Sequence, residues 1–271
     1  MNYSMIWTIA SKDMRSIWKT SKVWLGLVLL PLILGVIFPV AVVSIGRWAD
    51  IASMGGKMGG LLELLPAGDA GSMPTVNHQF VHFMVNFMFV PIFLLIPVTN
   101  AVLIAVNSFI SEKERRTLES LLFAPIAIKD LFAGKLLASF IPAYAASIGS
   151  FVLCGLIINV LAYPMFDAVI FPSLNWLILM LWTIPMFTVT AILFSVLVSA
   201  RSKSFQEAQQ VAGIIVLPIV GLLIGQSTGV MILNPLILLL LGAVLLALNG
   251  VLLMFIARLN QRDLLFERQV Q

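Results

Sequence analysis

The chain contains 271 residues, of which 61% are hydrophobic and only 10% are charged, and its mean hydropathy is +1.07. Ordinary soluble domains carry about 25% charged residues. This composition therefore excludes a soluble fold, which could not hide so much apolar surface from water. Long unbroken apolar runs also exclude a membrane β-barrel, whose strands alternate in polarity. The predicted fold class is an all-α polytopic membrane protein with a single transmembrane domain over residues 1–271.

Residues 1–22 have the pattern of an amphipathic helix, with apolar and basic residues on different sides. Trp7 and Trp18 suit the membrane interface, where an indole keeps its ring in lipid and its N–H near water. We therefore predict an N-terminal interfacial helix that lies on the cytoplasmic leaflet before the first span.

Six apolar segments follow, each near the roughly 20 residues that a helix needs to cross a bilayer. They cover residues 23–45, 82–109, 136–161, 174–199, 209–224 and 232–257. The glycine-rich loop 46–81 is the only sizeable outer segment, and it either caps a lateral opening or is simply flexible. The uncharged connection 224–232 fits a re-entrant hairpin as well as a plain loop.

Seven prolines fall inside the predicted spans or at their edges. Each proline removes a backbone hydrogen bond and can kink its helix. Kinked spans suit a transporter that rearranges, but membrane helices also tolerate proline in general, and both interpretations stay open. The prolines are Pro31, Pro39, Pro91, Pro97, Pro142, Pro185 and Pro218.

The distribution of basic residues predicts the orientation. Fourteen of the 16 lysines and arginines fall before the first span, in the segment 111–135, in the loop 200–208 or in the tail, and only Arg47 and Lys57 fall elsewhere. Cytoplasmic segments carry such an excess, so both termini are predicted to face the cytoplasm, with the spans in the plasma membrane. The net charge of +4 would then meet anionic lipid, and no nucleic-acid partner is predicted.

The segment 111–135 carries nine charged residues in 25 positions between two long apolar spans. Ser111 and Glu114 have the spacing of a capping box and predict the start of a short helix, which Pro125 would end. A second helix is expected to begin near Lys129. Such a loop can pass a push from a soluble partner to the spans, whereas the alternative is a solvated loop whose charges only set the topology. The apolar stripe of the short helix would be Leu118, Leu121 and Leu122.

Sequence signals for catalysis are weak. Residues 55–58 read Gly-Gly-Lys-Met and lack the Ser or Thr of a phosphate-binding loop, so the chain is not expected to be an ATP-hydrolysing enzyme. His78 and His82 are four residues apart and could share a metal ion. No acidic residue joins them on that helical face, so no metal site is predicted and a membrane-embedded metallohydrolase is kept only as a weaker alternative.

The predicted spans carry no Asp, Glu, Lys or Arg. A proton or sodium relay usually places such a residue within the membrane, so an ion-coupled secondary transporter is an alternative rather than the first choice. Asn100 and Asn107 share one face of the second span, where they either line a substrate path or bond across packed helices. The energy for transport is therefore expected to come from outside the chain.

The segment 112–122, EKERRTLESLL, followed by Pro125 and by Gly134-Lys135, resembles the signature of the membrane subunits of type-2 ABC exporters. Arg116 departs from that signature, since many family members carry glycine there, and the departure concerns the fit to the partner. The N-terminal helix resembles the connecting helix of the family. Further similar stretches are residues 199–202, 207–210, 217–218 and, more weakly, 262–266.

The resemblance implies a permease subunit that pairs with a second permease copy, as a homodimer or heterodimer, and with ATPase subunits. ATP and Mg²⁺ would bind to the partner ATPase, and this chain would hold no cofactor. The segment 111–135 would be the coupling loop, and cargoes as different as drugs, lipids, peptides, polysaccharide and sodium would fit the family. The implied ATPase-docking residues are Glu112, Glu114, Arg115 and Arg116, with Leu118, Leu121 and Leu122 as the apolar footing and Arg201 and Glu207 as a lesser contact.

Overall fold

The computed structural model describes residues 3–19, 21–54, 60, 62, 73–114 and 128–259, and in these ranges every regular element is helical. The first helix, α1, covers Tyr3–Lys19. Within these described ranges, six further helices are long and apolar enough to cross a membrane, which confirms the predicted all-α polytopic fold. They are α2 (Trp24–Trp48), α3 (Val76–Ile110), α4 (Lys129–Phe166), α5 (Leu174–Arg201), α6 (Phe205–Ser227) and α7 (Pro235–Ala257).

The helices extend beyond the ends of the predicted apolar spans. The helix of α3 continues to Glu114, and the helix of α4 covers Ile128–Phe166. Ser111 therefore lies inside the last turn of a long helix, and the predicted helix start at this residue is wrong. The residues at 112–114 are Glu, Lys and Glu, which are good helix formers, so the backbone hydrogen bonds continue past the last apolar residue.

Among the described residues, three spans contain a π turn, and a proline follows each of these turns. The turns are Ile33–Ile37 in α2, Met84–Met88 in α3 and Leu179–Thr183 in α5. The prolines that follow them are Pro39, Pro91 and Pro185. A proline cannot donate to the carbonyl four residues earlier, and in all three spans that carbonyl lies within the π turn. The backbone widens locally there instead of breaking.

α3 is the central helix of the bundle. In its most apolar stretch 78% of the residues are buried, against 17% in α6 and 22% in α7. It packs against α2, α4, α5 and α6. α6 and α7 lie at the periphery and keep large apolar side chains exposed, as expected for surfaces that meet lipid or another membrane subunit.

Neutral hydrogen bonds join α7 to α5. The Thr183 hydroxyl donates to the carbonyl of Leu238 over 3.2 Å, and the Thr190 hydroxyl donates to Oδ1 of Asn249 over 2.8 Å. Asn249 in turn donates through Nδ2 to the carbonyl of Met186 over 3.0 Å. Polar side chains that bond across helices hold membrane helices together where lipid provides no hydrophobic drive, so α7 is fixed to the bundle although most of its surface is exposed.

Candidate functional site

α1 presents three different faces. An exposed aromatic stripe is formed by Tyr3, Trp7 and Trp18, and an exposed basic face carries Lys12 and Arg15. The third face is buried and packs against α4, so the predicted amphipathic helix is present but uses its most apolar side against protein. The residues of this buried face are Ile6, Ile9, Ala10, Asp13 and Ile17.

A buried ion pair lies where α1 meets α4. Nζ of Lys135 is 3.2 Å from Oδ2 of Asp13, and only 2% of Lys135 and 8% of Asp13 are exposed. Charged groups at this degree of burial are stable only when they are paired and hydrogen-bonded. The hydrogen-bonding atoms of the pair that do not face each other therefore need partners of their own.

Ser108, near the end of α3, supplies those partners. Its hydroxyl donates to Oδ2 of Asp13 over 2.8 Å. Nζ of Lys135 donates to the backbone carbonyl and to the hydroxyl oxygen of Ser108, both over 3.1 Å. The ammonium also lies 5.2 Å from the ring centroid of Phe109, within the range of a cation–π contact. The cluster thus connects three helices, α1, α3 and α4, through charge-assisted hydrogen bonds.

The approach of α1 to α4 depends on Gly134. A Cβ atom at this position would lie 2.9 Å from the Cβ of Ile9 and 3.0 Å from the carbonyl oxygen of Ile6, closer than ordinary carbon contacts allow. The missing side chain lets the two helices come together at the position next to Lys135. Gly134 therefore permits the separation at which Asp13 reaches Lys135.

The cluster borders the predicted coupling loop on both sides. Ser108 precedes the segment 111–135 on α3, and Lys135 is its last residue, on α4. Asp13 was not predicted as a site residue, because a single acidic residue in an amphipathic helix is typical of a solvated face. The pair Gly134-Lys135 was the only local sign of the contact between α1 and α4, since a glycine in a helix often marks a close helix approach.

The predicted docking residues fall in two groups. Glu112 and Glu114 lie in the last turn of the long helix that contains α3, where the backbone is described. The rest of the set falls outside the described residues, and its roles stay predictions. These residues are Arg115, Arg116, Leu118, Leu121 and Leu122.

Arg201 and Glu207, the second predicted contact, line one cavity of about 450 Å³ between the end of α5, the start of α6 and the end of α7. Both side chains are exposed. The start of α6 packs against α3, so this cavity lies at the same end of the bundle as Ser108. The apolar part of its lining is Phe194, Leu197, Val198, Val211 and Phe255.

Glu207 also shapes the start of α6. The hydroxyl of Ser204 accepts a hydrogen bond from the backbone N–H of Glu207 over 3.3 Å, and Oε2 of Glu207 accepts from the backbone N–H of Lys203 over 2.8 Å. This reciprocal arrangement is close to a capping box and satisfies donors that a helix start leaves open. The turn that separates α5 from α6 is therefore locally ordered.

The two asparagines of α3 differ in their surroundings. Asn100 is buried and donates through Nδ2 to the carbonyl of Leu27 over 3.3 Å, which is a bond across packed helices. Asn107 is half-buried. A role for either residue in lining a substrate path stays a prediction.

The histidines lie at the opposite end of the bundle. Nε2 of His78 is 2.8 Å from the carbonyl oxygen of Met165, and its Nδ1 is 2.6 Å from the hydroxyl of Thr75. Nδ1 of His82 is 3.3 Å from Nδ2 of Asn86. Hydrogen bonds therefore occupy both ring nitrogens of His78. Across the described part of the chain, no group of three His, Cys, Asp or Glu residues could hold a metal ion.

Comparison with known protein families places most of the chain in one family model. Residues 7–239 match the model of the family described as ABC-2 family transporter protein. The match covers more than half of the chain, including most of α1, Ser108, Lys135 and the start of α7. No curated protein and no solved structure matches the chain.

Proposed function

The chain belongs to the ABC-2 family of transporter proteins, and from this premise we propose that it forms the translocation pathway of an exporter driven by a separate ATPase subunit. A family member with six candidate membrane helices is a multi-pass permease subunit of an ABC transporter and is not itself catalytic. We further propose that coupling occurs through the segment 111–135, that the direction of transport is export, and that the assembly contains a second permease copy.

The observation that carries the coupling proposal is the position of the segment 111–135 relative to α3. This segment directly follows the most deeply buried helix of the bundle. A force applied to it would reach the centre of the bundle through continuous helical backbone, because the helix of α3 extends to Glu114. A segment attached to a peripheral helix such as α6 would have no comparable route.

In the proposed complex the segment 111–135 rests on the ATPase subunit, which binds ATP and Mg²⁺. Closure of two ATPase subunits on ATP would push this segment and switch the spans between inward-facing and outward-facing arrangements. The exposed cavity with Arg201 and Glu207 would receive a smaller part of the same partner. The polar contacts of the main site are assigned to Glu112, Glu114, Arg115 and Arg116, and its apolar footing to Leu118, Leu121 and Leu122.

The double substitution Glu114→Gln and Arg115→Gln tests this proposal. We expect the variant to insert and dimerise but to lose at least about tenfold in the affinity of the ATPase subunit, since loss of an interface hot-spot residue costs about 2 kcal/mol or more, and about 1.4 kcal/mol corresponds to a tenfold change. The measurement is the amount of ATPase subunit, recognised by its phosphate-binding loop, that co-purifies with the permease, together with ATP hydrolysis by the complex.

The matched control removes a basic and an acidic residue from the loop 46–81, with Lys57→Gln and Asp69→Asn. This control should retain the ATPase subunit fully. Normal retention and normal coupled ATP hydrolysis in the Glu114/Arg115 variant would contradict the docking proposal. Transport driven by a proton or sodium gradient without ATP would instead support the ion-coupled carrier.

A further inference from the structure

We propose that Asp13, Ser108 and Lys135 form a clamp that ties α1 to both ends of the segment 111–135, so that any displacement of this segment moves α1, α3 and α4 as one unit. The role of this movement in coupling rests on the proposed function, whereas the contacts of the clamp are found in this chain alone. The three residues are positioning residues, because they act through the loop that they hold.

The geometry of the clamp links each of the three helices to the other two. Oδ2 of Asp13 accepts from α3, through the hydroxyl of Ser108, and from α4, through Nζ of Lys135. Lys135 also donates to two oxygens of Ser108. If α1 or α4 moved away alone, the ion pair between two buried charges would break, which is strongly unfavourable. If α3 moved away alone, that pair would lose its hydrogen bonds to Ser108. Movement of all three together preserves every bond.

Asp13 has a second cation nearby, but this cation is a weak partner. Nζ of Lys12 is 4.0 Å from Oδ1 of Asp13, and the Lys12 side chain is 65% exposed. Exposed pairs contribute little because water screens them. Lys135 is nearer and almost fully buried, so the contact that determines the position of α1 is the one to α4.

The other faces of α1 suit a helix that moves along the membrane surface with the loop. Its exposed aromatic stripe has the amphipathic rings that reside at headgroup level, and the exposed Lys12 and Arg15 favour anionic lipid. The clamp would thus let the loop push on α1 while lipid contacts keep α1 parallel to the membrane. The stripe is formed by Tyr3, Trp7 and Trp18.

Hydrogen–deuterium exchange on the purified permease tests the clamp without any ATPase subunit. In the variant Lys135→Met, backbone amides in residues 108–114 and 128–134 should exchange at least about tenfold faster, because the unpaired Asp13 costs more than the free energy of a tenfold change. Ser108→Ala keeps the ion pair and should give a smaller increase in the same peptides, which covers the case that Lys135→Met does not fold. Lys129→Met, an exposed lysine on the same helix, is the matched control and should leave exchange unchanged.

A doubly neutral variant separates positioning from mere stability. Asp13→Asn with Lys135→Met leaves no buried charge without a partner, so its amide exchange should return most of the way towards the wild-type rate. It still lacks the charge-assisted links between the helices. We therefore expect it to bind the co-purifying ATPase subunit but to show ATP hydrolysis that no longer responds to permease binding.

The outcomes distinguish the clamp from the proposed function. Wild-type exchange in both Lys135→Met and Ser108→Ala overturns the clamp, whatever the ATPase measurements give. Suppose that the single variants show altered exchange but the doubly neutral variant keeps wild-type ATPase stimulation. This result overturns the role of the clamp in coupling and leaves the docking proposal intact. If the wild-type chain retains no ATPase subunit, the proposed function fails, and the exchange measurement alone decides whether the clamp exists.

Discussion

At the end of the bundle where α1 packs on α4, buried charges hold the helices together, whereas at the opposite end aromatic packing and a neutral hydrogen bond do so. Among the residues with described side chains, the buried charged ones are Asp13, Asp130 and Lys135, all near the predicted cytoplasmic end. Near the other end, Trp176 is fully buried and donates through Nε1 to the carbonyl of Val85 over 3.0 Å. The aromatic rings whose centroids lie within 6.0 Å of the centroid of the Trp176 ring are those of Phe89, Phe93, Phe151 and Phe171.

The two ends of the bundle should respond differently to substitution. At the charged end, removing one partner is worse than removing both, because the remaining charge is buried alone. At the aromatic end, each deletion should cost an amount that follows the volume removed, since packing contacts are many and individually weak. The charged end therefore behaves as one connected unit, which is the property that a force-transmitting connection needs.

The largest effect is expected at the aromatic end. Trp176→Ala should lower the free energy of unfolding by about 3–5 kcal/mol, because the substitution leaves a cavity among four aromatic rings. The measurement is unfolding in mixed detergent micelles. The control is Trp7→Ala, since Trp7 is 57% exposed and contributes little to the packing within the bundle. Equal losses in the two variants would show that the aromatic cluster does not hold this end.

A smaller effect is expected where α1 approaches α4. Gly134→Ala should cost about 1–3 kcal/mol of unfolding free energy, because the new methyl group overlaps Ile9. The matched control is Gly149→Ala on the same helix, where an added Cβ meets no atom within 4 Å and alanine is the better helix former. Alanine at position 9 would not relieve the overlap, because the new atom also meets the Cβ of Ile9 and the carbonyl oxygen of Ile6. Equal unfolding free energies for Gly134→Ala and Gly149→Ala would contradict the close approach of α1 to α4.

The smallest effect is expected at the start of α6. Ser204→Ala should cost about 1 kcal/mol, because it removes the hydroxyl that accepts from the backbone N–H of Glu207. Ser204→Thr keeps an acceptor and serves as the control. Amide exchange in residues 205–208 measures the effect locally. A change in Ser204→Ala that extended to α1 would contradict the separation of this turn from the buried cluster.

Helices and spans could be predicted because both follow from local sequence. Apolar runs define the six spans, and the proline rule accounts for the π turns before Pro39, Pro91 and Pro185. The helix start predicted at Ser111 is wrong because a capping-box spacing occurs there by chance inside a continuous helix. Local patterns do not reveal whether the preceding backbone is already helical.

The buried cluster could not be predicted because it depends on contacts between distant parts of the chain. Asp13 and Lys135 are separated by 122 positions, and each has an ordinary local explanation, as a solvated acid and as a basic residue that sets topology. Only the packing of α1 against α4 brings them together. The bond from Asn100 to Leu27 is similar, since the sequence allowed both a path-lining and a packing role for this asparagine.

Site-specific photo-crosslinking in intact membranes tests whether the segment 111–135 contacts the ATPase subunit. A photoreactive residue at Leu118, within the segment 111–135, should capture a subunit that carries a phosphate-binding loop, and the same residue at Leu61, in the loop 46–81, should not. Capture from Leu61 but not from Leu118, or no capture from Leu118 in a complex that hydrolyses ATP, would contradict coupling through this segment.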